Sequence, residues 1–486
     1  MSPRPPTVSR RRSISDPLAF ALLPPPNETP AEREQRLRRE AEAKKVNDDI
    51  DDMLKAERAA QKKRKEVKIL LLGQSESGKS TTLKQFQIIH AHSQFQAERS
   101  AWRAVIYLNL VRSVRRILDA ITLDESDEES PYGGPRSPTA LLPATRQRLP
   151  ELATLKLRLS PIIAIEEQLI QQLACSEEND TRIMLPPRQG SPEFGQRGSG
   201  EISVRTGVNW KQAFAKFKGK RPTGEGNILP RNDPNDPIHV LHACADDMNT
   251  LWNSPLIKDI LQQRRIRLEE SSGFYLNEIT RITDLNYVPS DDDVLKARLK
   301  TVGVVEHSFS LDKGTEKGVD WKIYDVGGAR NQRQAWAPYF EDVNAIIFLA
   351  PISAFDQVLS EDPNVNRLED SLLLWRNIVS NKLLQKVHLV LFLNKCDLLQ
   401  MKLDNGVMLN QHMTSYGDRP NDYDSVSRYF RNKFAALHQS FSPNQDREAY
   451  IHLTCVTDTR KTSEVITNVR DIILKENLKD SRLIYV

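Results

Sequence analysis

The stretch "GQSESGKST", Gly73 to Thr81, places two glycines, a lysine and two hydroxyls at the spacing of a phosphate-binding loop. Glycine-permitted turns let backbone amides converge on phosphate oxygens, and a helix beginning at the loop's end adds its positive dipole. Lys79 then reaches the outer phosphates, the Ser80 hydroxyl suits magnesium, and Glu76, Ser77, Gly78 and Thr81 complete the cradle. Further on, "FLNKCDL" supplies Asn394, Lys395 and Asp397. The Asp397 carboxylate can accept from the ring N1–H and the exocyclic amine of guanine together. Adenine lacks that donor pair, so the loop would discriminate GTP from ATP. Four residues of this kind are a weak signal alone; in order after the phosphate loop they are a strong one.

Both motifs need strands to carry them. "EVKILLLG" is a short apolar run ending in the glycine loop, as a buried parallel strand would be. After Lys300 the runs "VDWKIYDVG", "NAIIFLAP", "VHLVLFLNK" and "AYIHLTCV" alternate with helical patterns, which argues for a parallel sheet with helices on both faces. Between the loop and that region the pattern is helical, beginning with "AWRAVIYLNLVRSVRRILDAI" and resuming from "LHACADDMNTLW" to about Asn286. Two stretches, about 124 to 150 and 176 to 236, lose periodicity and fill with Pro, Gly, Ser and charge, as surface insertions do.

Ahead of the first strand, residues 1 to 28 are rich in Pro, Ser and Arg and read as a disordered basic tail. Its "RRR" and "PLAFALLPPP" faintly mimic a signal peptide, but prolines break the apolar part and no small-residue cleavage site follows. "TPAE" offers Thr29 as N-cap, Pro30 at the first helical position and Glu32 to close a capping box. The helix to about Lys65 carries only a thin apolar stripe, Leu37, Ala41, Ile50 and Leu54, so it is either solvated or docks on a partner.

The chain's 486 residues allow two or three domains. Its 69 basic against 65 acidic residues, a net of +4, give no case for nucleic acid. Cys175, Cys244, Cys396 and Cys455 are scattered without metal-ligand spacing, as in a reducing cytosol. No apolar run approaches the roughly 20 residues of a membrane span.

The phosphate loop, "DVLKARLKTVG", "DVGGAR", "NKCD", "TCVTDT" and the ending "DIILKENLKDSRLIYV" together resemble the heterotrimeric G-protein α subunits, over about residues 30 to 123 and 237 to 486. The resemblance implies an α/β fold: a Ras-like P-loop GTPase domain (67–94 and 298–486) with a parallel-rich sheet flanked by helices. An all-α helical domain (95–297) would be inserted in it, with a partner-docking helix (29–66) in front. It implies GTP and GDP as ligands and Mg2+ as cofactor, held by Ser80, Thr301 and, through a water, Asp325. Arg298 would be the arginine that spreads charge off the γ-phosphate, with Glu76 pairing to it in the resting state. Gly328 would sense the γ-phosphate, and Leu295 and Val456 would join Asn394, Lys395 and Asp397 in holding the nucleoside. Glu270 either reaches Lys395 across the cleft or is a solvated helix charge. The implied partners are a βγ dimer, on the N-terminal helix and the segment 325 to 338, a receptor on the C-terminal tail, and an effector.

Departures from the family pattern carry as much information. Ala329 stands where the family has the glutamine that orients the attacking water, and Ser75 replaces a glycine crowded against it. Asn331 and Gln332 are the nearby side chains able to substitute. Val456 replaces an alanine whose amide meets the guanine oxygen, and Glu464 stands at a site the family tends to fill with an aromatic. Position 2 is Ser, not the glycine that myristoylation needs. A cytoplasmic protein is expected, touching membranes at most peripherally through Arg10 to Arg12. Two readings compete: a slow GTPase, or a nucleotide-dependent binding protein with negligible hydrolysis.

Overall fold

The computed structural model describes residues 28–63, 65–122, 150–174, 203–205, 236–310, 319–341 and 343–480. The basic tail, nearly all of both insertions and the last six residues lie outside these. The chain divides into two units, Met1–Lys65 and Glu66–Val486.

In the first unit, α1 (Pro30–Lys63) begins at the expected capping box: Thr29 N donates to Glu32 Oε2 at 2.9 Å, and Glu32 N donates to Thr29 Oγ1 at 3.4 Å. Arg36 pairs with Glu28 and with Glu40, one turn on. Leu37, Val46, Ile50, Met53 and Leu54 are all exposed, so among the side chains described this helix hides no apolar face.

The second unit is built on six strands: β1 (Lys65–Gly73), β4 (Val304–Ser310), β5 (Val319–Val326), β6 (Ala345–Pro351), β7 (His388–Asn394) and β8 (Ala449–Thr454). Their order across the sheet is β4-β5-β1-β6-β7-β8, with β4 antiparallel to β5 and the pairs β1/β6, β6/β7 and β7/β8 parallel. The period-2 alternation of side chains splits the central strands between two cores. Leu70, Leu72, Ile346 and Phe348 face α12 (Arg367–Val379) and α14 (Tyr423–Phe441); Ile69, Leu71, Ile347 and Leu349 face α2 (Lys79–His90) and α15 (Thr459–Asp480). Burial on both faces is why these strands read as unbroken apolar runs. The edge strand β4, "VVEHSFS", was not among the expected strands; its alternation with polar residues is that of a half-exposed edge.

Between β1 and β4 lies a third core. It gathers α3 (His92–Glu98), α4 (Trp102–Thr122), α5 (Pro150–Arg158), α6 (Pro161–Ala174), α7 (Ile238–Ala243), α8 (Ala245–Asn253), α9 (Pro255–Gln263), α10 (Ile279–Ile282) and α11 (Asp291–Lys296). α4 is buried on nearly every side from Ala104 to Leu110, as a central helix must be. α11 starts on a capping box between Ser290 and Asp293. Arg281 and Tyr287 also hydrogen-bond the Asp293 carboxylate, and despite burial these contacts hold its pKa down at about 2. From the second insertion, β2 (Ser203–Arg205) lies parallel to β3 (Lys300–Val302), with Val204 opposite Thr301. α13 (Cys396–Asp404) follows β7 directly.

Candidate functional site

The loops at the carboxyl ends of β1, β5, β7 and β8 converge on one cleft of about 340 Å³, where open α/β sheets bind their ligands. Glu76, Ser77, Gly78, Lys79, Ser80, Thr81, Leu295, Arg298, Thr301, Gly328, Ala329, Asn394, Lys395, Asp397 and Val456 all line it. Asp325 sits behind, bonded to two of them.

The phosphate loop has little freedom. Gly73 (φ +141°) has no room for a Cβ against the Leu349 carbonyl, nor has Gly78 (φ +106°) against Asn394 Nδ2. Glu76 and Lys395 hold left-handed φ values of 59° and 64° without being glycine, a backbone cost met at binding sites. Lys79 Nζ donates to the carbonyls of Gly73 (3.0 Å) and Gln74 (2.6 Å) from a buried position that pushes its pKa down to about 8.

Ser80 Oγ donates to Asp325 Oδ2 at 2.5 Å and lies 3.1 Å from Thr301 Oγ1, which also meets Asp325 Oδ2 at 3.1 Å. Burial raises the Asp325 pKa, and its other oxygen, Oδ1, is buried without a hydrogen-bond partner. Two hydroxyls and one half-satisfied carboxylate form an oxygen-only donor set, which fits a small hard cation that keeps several waters. Among the described residues no group of three or more His, Cys, Asp or Glu is gathered for a softer metal.

On the base side, Asn394 is a hub. Its Nδ2 donates to Ser77 O at 2.7 Å, while Oδ1 accepts from Val456 N and Thr454 Oγ1, both at 3.2 Å. It thereby ties the phosphate loop, β7 and the loop after β8 into one piece. Asp397, in the first turn of α13, is exposed to the cleft. Lys395 is half-buried, and desolvation pushes its pKa down to about 8, with Arg367 acting in the same direction.

Arg298 pairs with Glu76 at 2.6 Å, as expected of the resting arrangement. Burial would raise the Glu76 pKa, but Arg298, Arg367 and Lys395 together hold it below the usual range. The backbone of Arg298 is clamped by Asn109 of α4, which accepts from its N–H at 2.7 Å and donates to its carbonyl at 3.0 Å. Nothing in the sequence marked Asn109, because the pair is 189 residues apart. Glu270 does cross the cleft, but to a different lysine from the one expected. It bonds Lys402 at 2.7 Å, Arg267 at 3.3 Å and Gln357, while Asp356 holds both Lys402 (2.6 Å) and Arg267. Lys402 and Lys395 are seven residues apart around α13, and Asp356 draws the charge to Lys402.

Gly328 packs against the backbone of Gln74 and Ser75 so closely that a Cβ would overlap both. Ala329 then caps a 3-10 helix, Arg330–Tyr339. Arg333 pins that helix to Asp370 of α12 at 2.5 Å, and Trp336 Nε1 donates to Gly327 O at 3.0 Å.

Residues 44–473 match the family model described as the G-protein alpha subunit. The chain belongs to that family. It is 32% identical to the guanine nucleotide-binding protein alpha-4 subunit of Mycosarcoma maydis, over 97% of this chain and 96% of that one. The alpha-1 subunit of the same organism is also 32% identical, over 90% and 96%. A guanine nucleotide-binding protein subunit alpha of Coprinellus congregatus is 30% identical, over 91% and 97%. As a Gα subunit the chain is a guanine-nucleotide-binding signalling protein and a GTPase, with the Ras-like fold and its helical insertion. Among the described residues no helix is long and apolar enough to cross a membrane.

Proposed function

We propose that this Gα subunit is a magnesium-dependent GTP/GDP switch that binds tightly and hydrolyses slowly. The observation that carries it is the single cleft in which the phosphate loop, the Ser80–Thr301–Asp325 oxygens and the Asn394–Asp397 loop meet. Lys79 would leave its own loop carbonyls for the β and γ phosphates, and Asp397 would take the guanine edge. Mg2+, held by Ser80 and Thr301 with Asp325 through water, would neutralise charge on the phosphate oxygens. Arg298 would move from Glu76 to the γ-phosphate, where its charge favours the transition state. The Ala329 side chain offers no hydrogen bond to align the attacking water, so turnover would rest on Arg298 and on a neighbouring side chain able to reach that water.

The exposed apolar residues of α1 would dock a βγ dimer, the C-terminal end a receptor, and the segment 325–338 would carry the nucleotide state to an effector. A cytoplasmic protein with at most peripheral membrane contact is the corresponding location. The guanine assignment is tested by competition: GTP and GDP should displace a fluorescent GDP, and ATP should not. Asp397→Asn should weaken GTP by at least about 1.5–3 kcal/mol, the worth of a charge-assisted hydrogen bond. Equal affinity of the wild type for ATP and GTP would remove the assignment.

A further inference from the structure

Gln332 stands on the side of the cleft that carries Gly328 and Ala329. Its Oε1 is buried and has no hydrogen-bond partner, yet the residue lines the cleft. Leaving an amide oxygen buried and unsatisfied costs about 1–3 kcal/mol, so such a group calls for a ligand or an ordered water. The local helix explains how it got there. With three residues per turn, side chains at i and i+3 eclipse in a 3-10 helix, so Gln332 stacks over Ala329. The Gln332 N–H donates to Ala329 O at 2.9 Å, which fixes that register.

The carboxamide lies over Gly327. A Cβ on Gly327 would overlap Gln332 Oε1 and would stand 3.1 Å from the Thr301 carbonyl. The amide therefore occupies the space between the two segments that carry Gly328 and Thr301. The helix cannot easily rotate it away, because Arg333 is held by Asp370 and Trp336 by Gly327 O.

We propose that Gln332 has taken over the water-positioning role that position 329 gave up. This rests on reading the cleft as a GTP site. Gln332 Oε1 would accept a hydrogen bond from the attacking water and aim its lone pair at the γ-phosphorus. A new P–O bond forms as the bond from the γ-phosphorus to the β–γ bridging oxygen breaks. GDP leaves with that electron pair, and the water's proton leaves on inorganic phosphate. The amide orients the water and is not itself a base.

The test uses the full chain with three readouts: GTPγS affinity, single-turnover GTP hydrolysis, and the tryptophan fluorescence change when GDP, magnesium and aluminium fluoride are added. The last reports a transition-state mimic without any turnover, with Trp336 on the same helix as the reporter. Gln332→Ala should keep GTPγS affinity within about twofold, lower hydrolysis about 10- to 100-fold and lose the aluminium fluoride response. Adding Ala329→Gln to Gln332→Ala should restore both, and Asn331→Ala, on an exposed neighbour, should change neither. Wild-type hydrolysis and response in Gln332→Ala would overturn the proposal. So would equal loss of GTPγS binding, which means a structural role, or a wild type that binds GTPγS yet shows neither hydrolysis nor response. A wild type that binds no guanine nucleotide would instead overturn the GTP reading itself.

Discussion

The two walls of the cleft are built on different terms. On the grip side, Asn394 satisfies its carboxamide through Ser77, Thr454 and Val456, and Lys79 is held by two carbonyls of its own loop, although Ser77 Oγ and Gln74 Oε1 there are buried without partners. On the switch side, Asp325 Oδ1 and Gln332 Oε1 are buried and unpaired, and Ala329 contributes only a methyl. Asn394 and Lys79 are pre-organised by bonds within the protein, whereas on the switch side the open valences fall on the carboxylate and the carboxamide that would act on water. Affinity and turnover therefore rest on separate residues here, and each can be altered while the other stays.

The largest separation should come from Ala329→Gln. A carboxamide at the N-cap, one turn before Gln332, adds a second group able to position the water, and such groups contribute about 10²- to 10⁴-fold. Crowding by Ser75 and Gln332 should hold the gain to about 10- to 100-fold in single-turnover hydrolysis, and adding Ser75→Gly should lift it further. GTPγS affinity should not move. A gain in affinity with no gain in rate would abolish the distinction between the walls.

The grip side was also the legible one. "GQSESGKST" and "NKCD" are contiguous, and each follows an apolar strand whose burial on both faces leaves an unbroken run, so motif and support could be read together. The capping box at Thr29 was local in the same way. What escaped reading was tertiary. Asn109 clamps Arg298 from another core, and Glu270 chose Lys402 because Asp356, far away in sequence, had already drawn that lysine inward. The edge strand β4 escaped because a half-exposed edge has too few apolar residues to stand out. Substitution by Asn331 or Gln332 was readable, but only the 3-10 register separates the two: Gln332 turns to the cleft, and Asn331 is exposed.

A middle-sized effect should come from the charged clasp across the cleft. The Lys402 and Asp356 side chains are buried, and Glu270 is the helical-side carboxylate that reaches Lys402. Glu270→Ala leaves Lys402 with Asp356 and the Ser353 carbonyl, so its charge is not stranded. The loss is then about 1–2 kcal/mol, one charged hydrogen bond, and not the larger cost of an orphaned ion. Spent on opening the cleft, that is roughly a 5- to 30-fold faster GDP release. Hydrolysis of bound GTP should stay the same, since the clasp touches neither wall's chemistry. Unchanged release of a fluorescent GDP would show that the clasp holds the fold and not the ligand.

The smallest effect probes the one departure on the grip side. Val456 is buried beside Gly78, and its backbone is held from two directions: its N–H by Asn394 and its carbonyl by Gln85 Nε2 at 3.0 Å. With the backbone fixed twice, the two extra methyls can displace the guanine loop only slightly. Glu464, at the site the family tends to fill with an aromatic, is exposed, while Ile466, Val469 and Ile473 fill the core beneath α15. A GDP release faster than the family's would therefore rest on Val456 alone. Val456→Ala should slow release about two- to threefold while costing the fold about 1.5 kcal/mol of buried apolar contact. The opposite signs make the measurement decisive, because a merely loosened protein would lose both stability and nucleotide. Faster release together with a lower melting temperature would mean that the valine braces the loop, and the grip side would then have no weak point of its own.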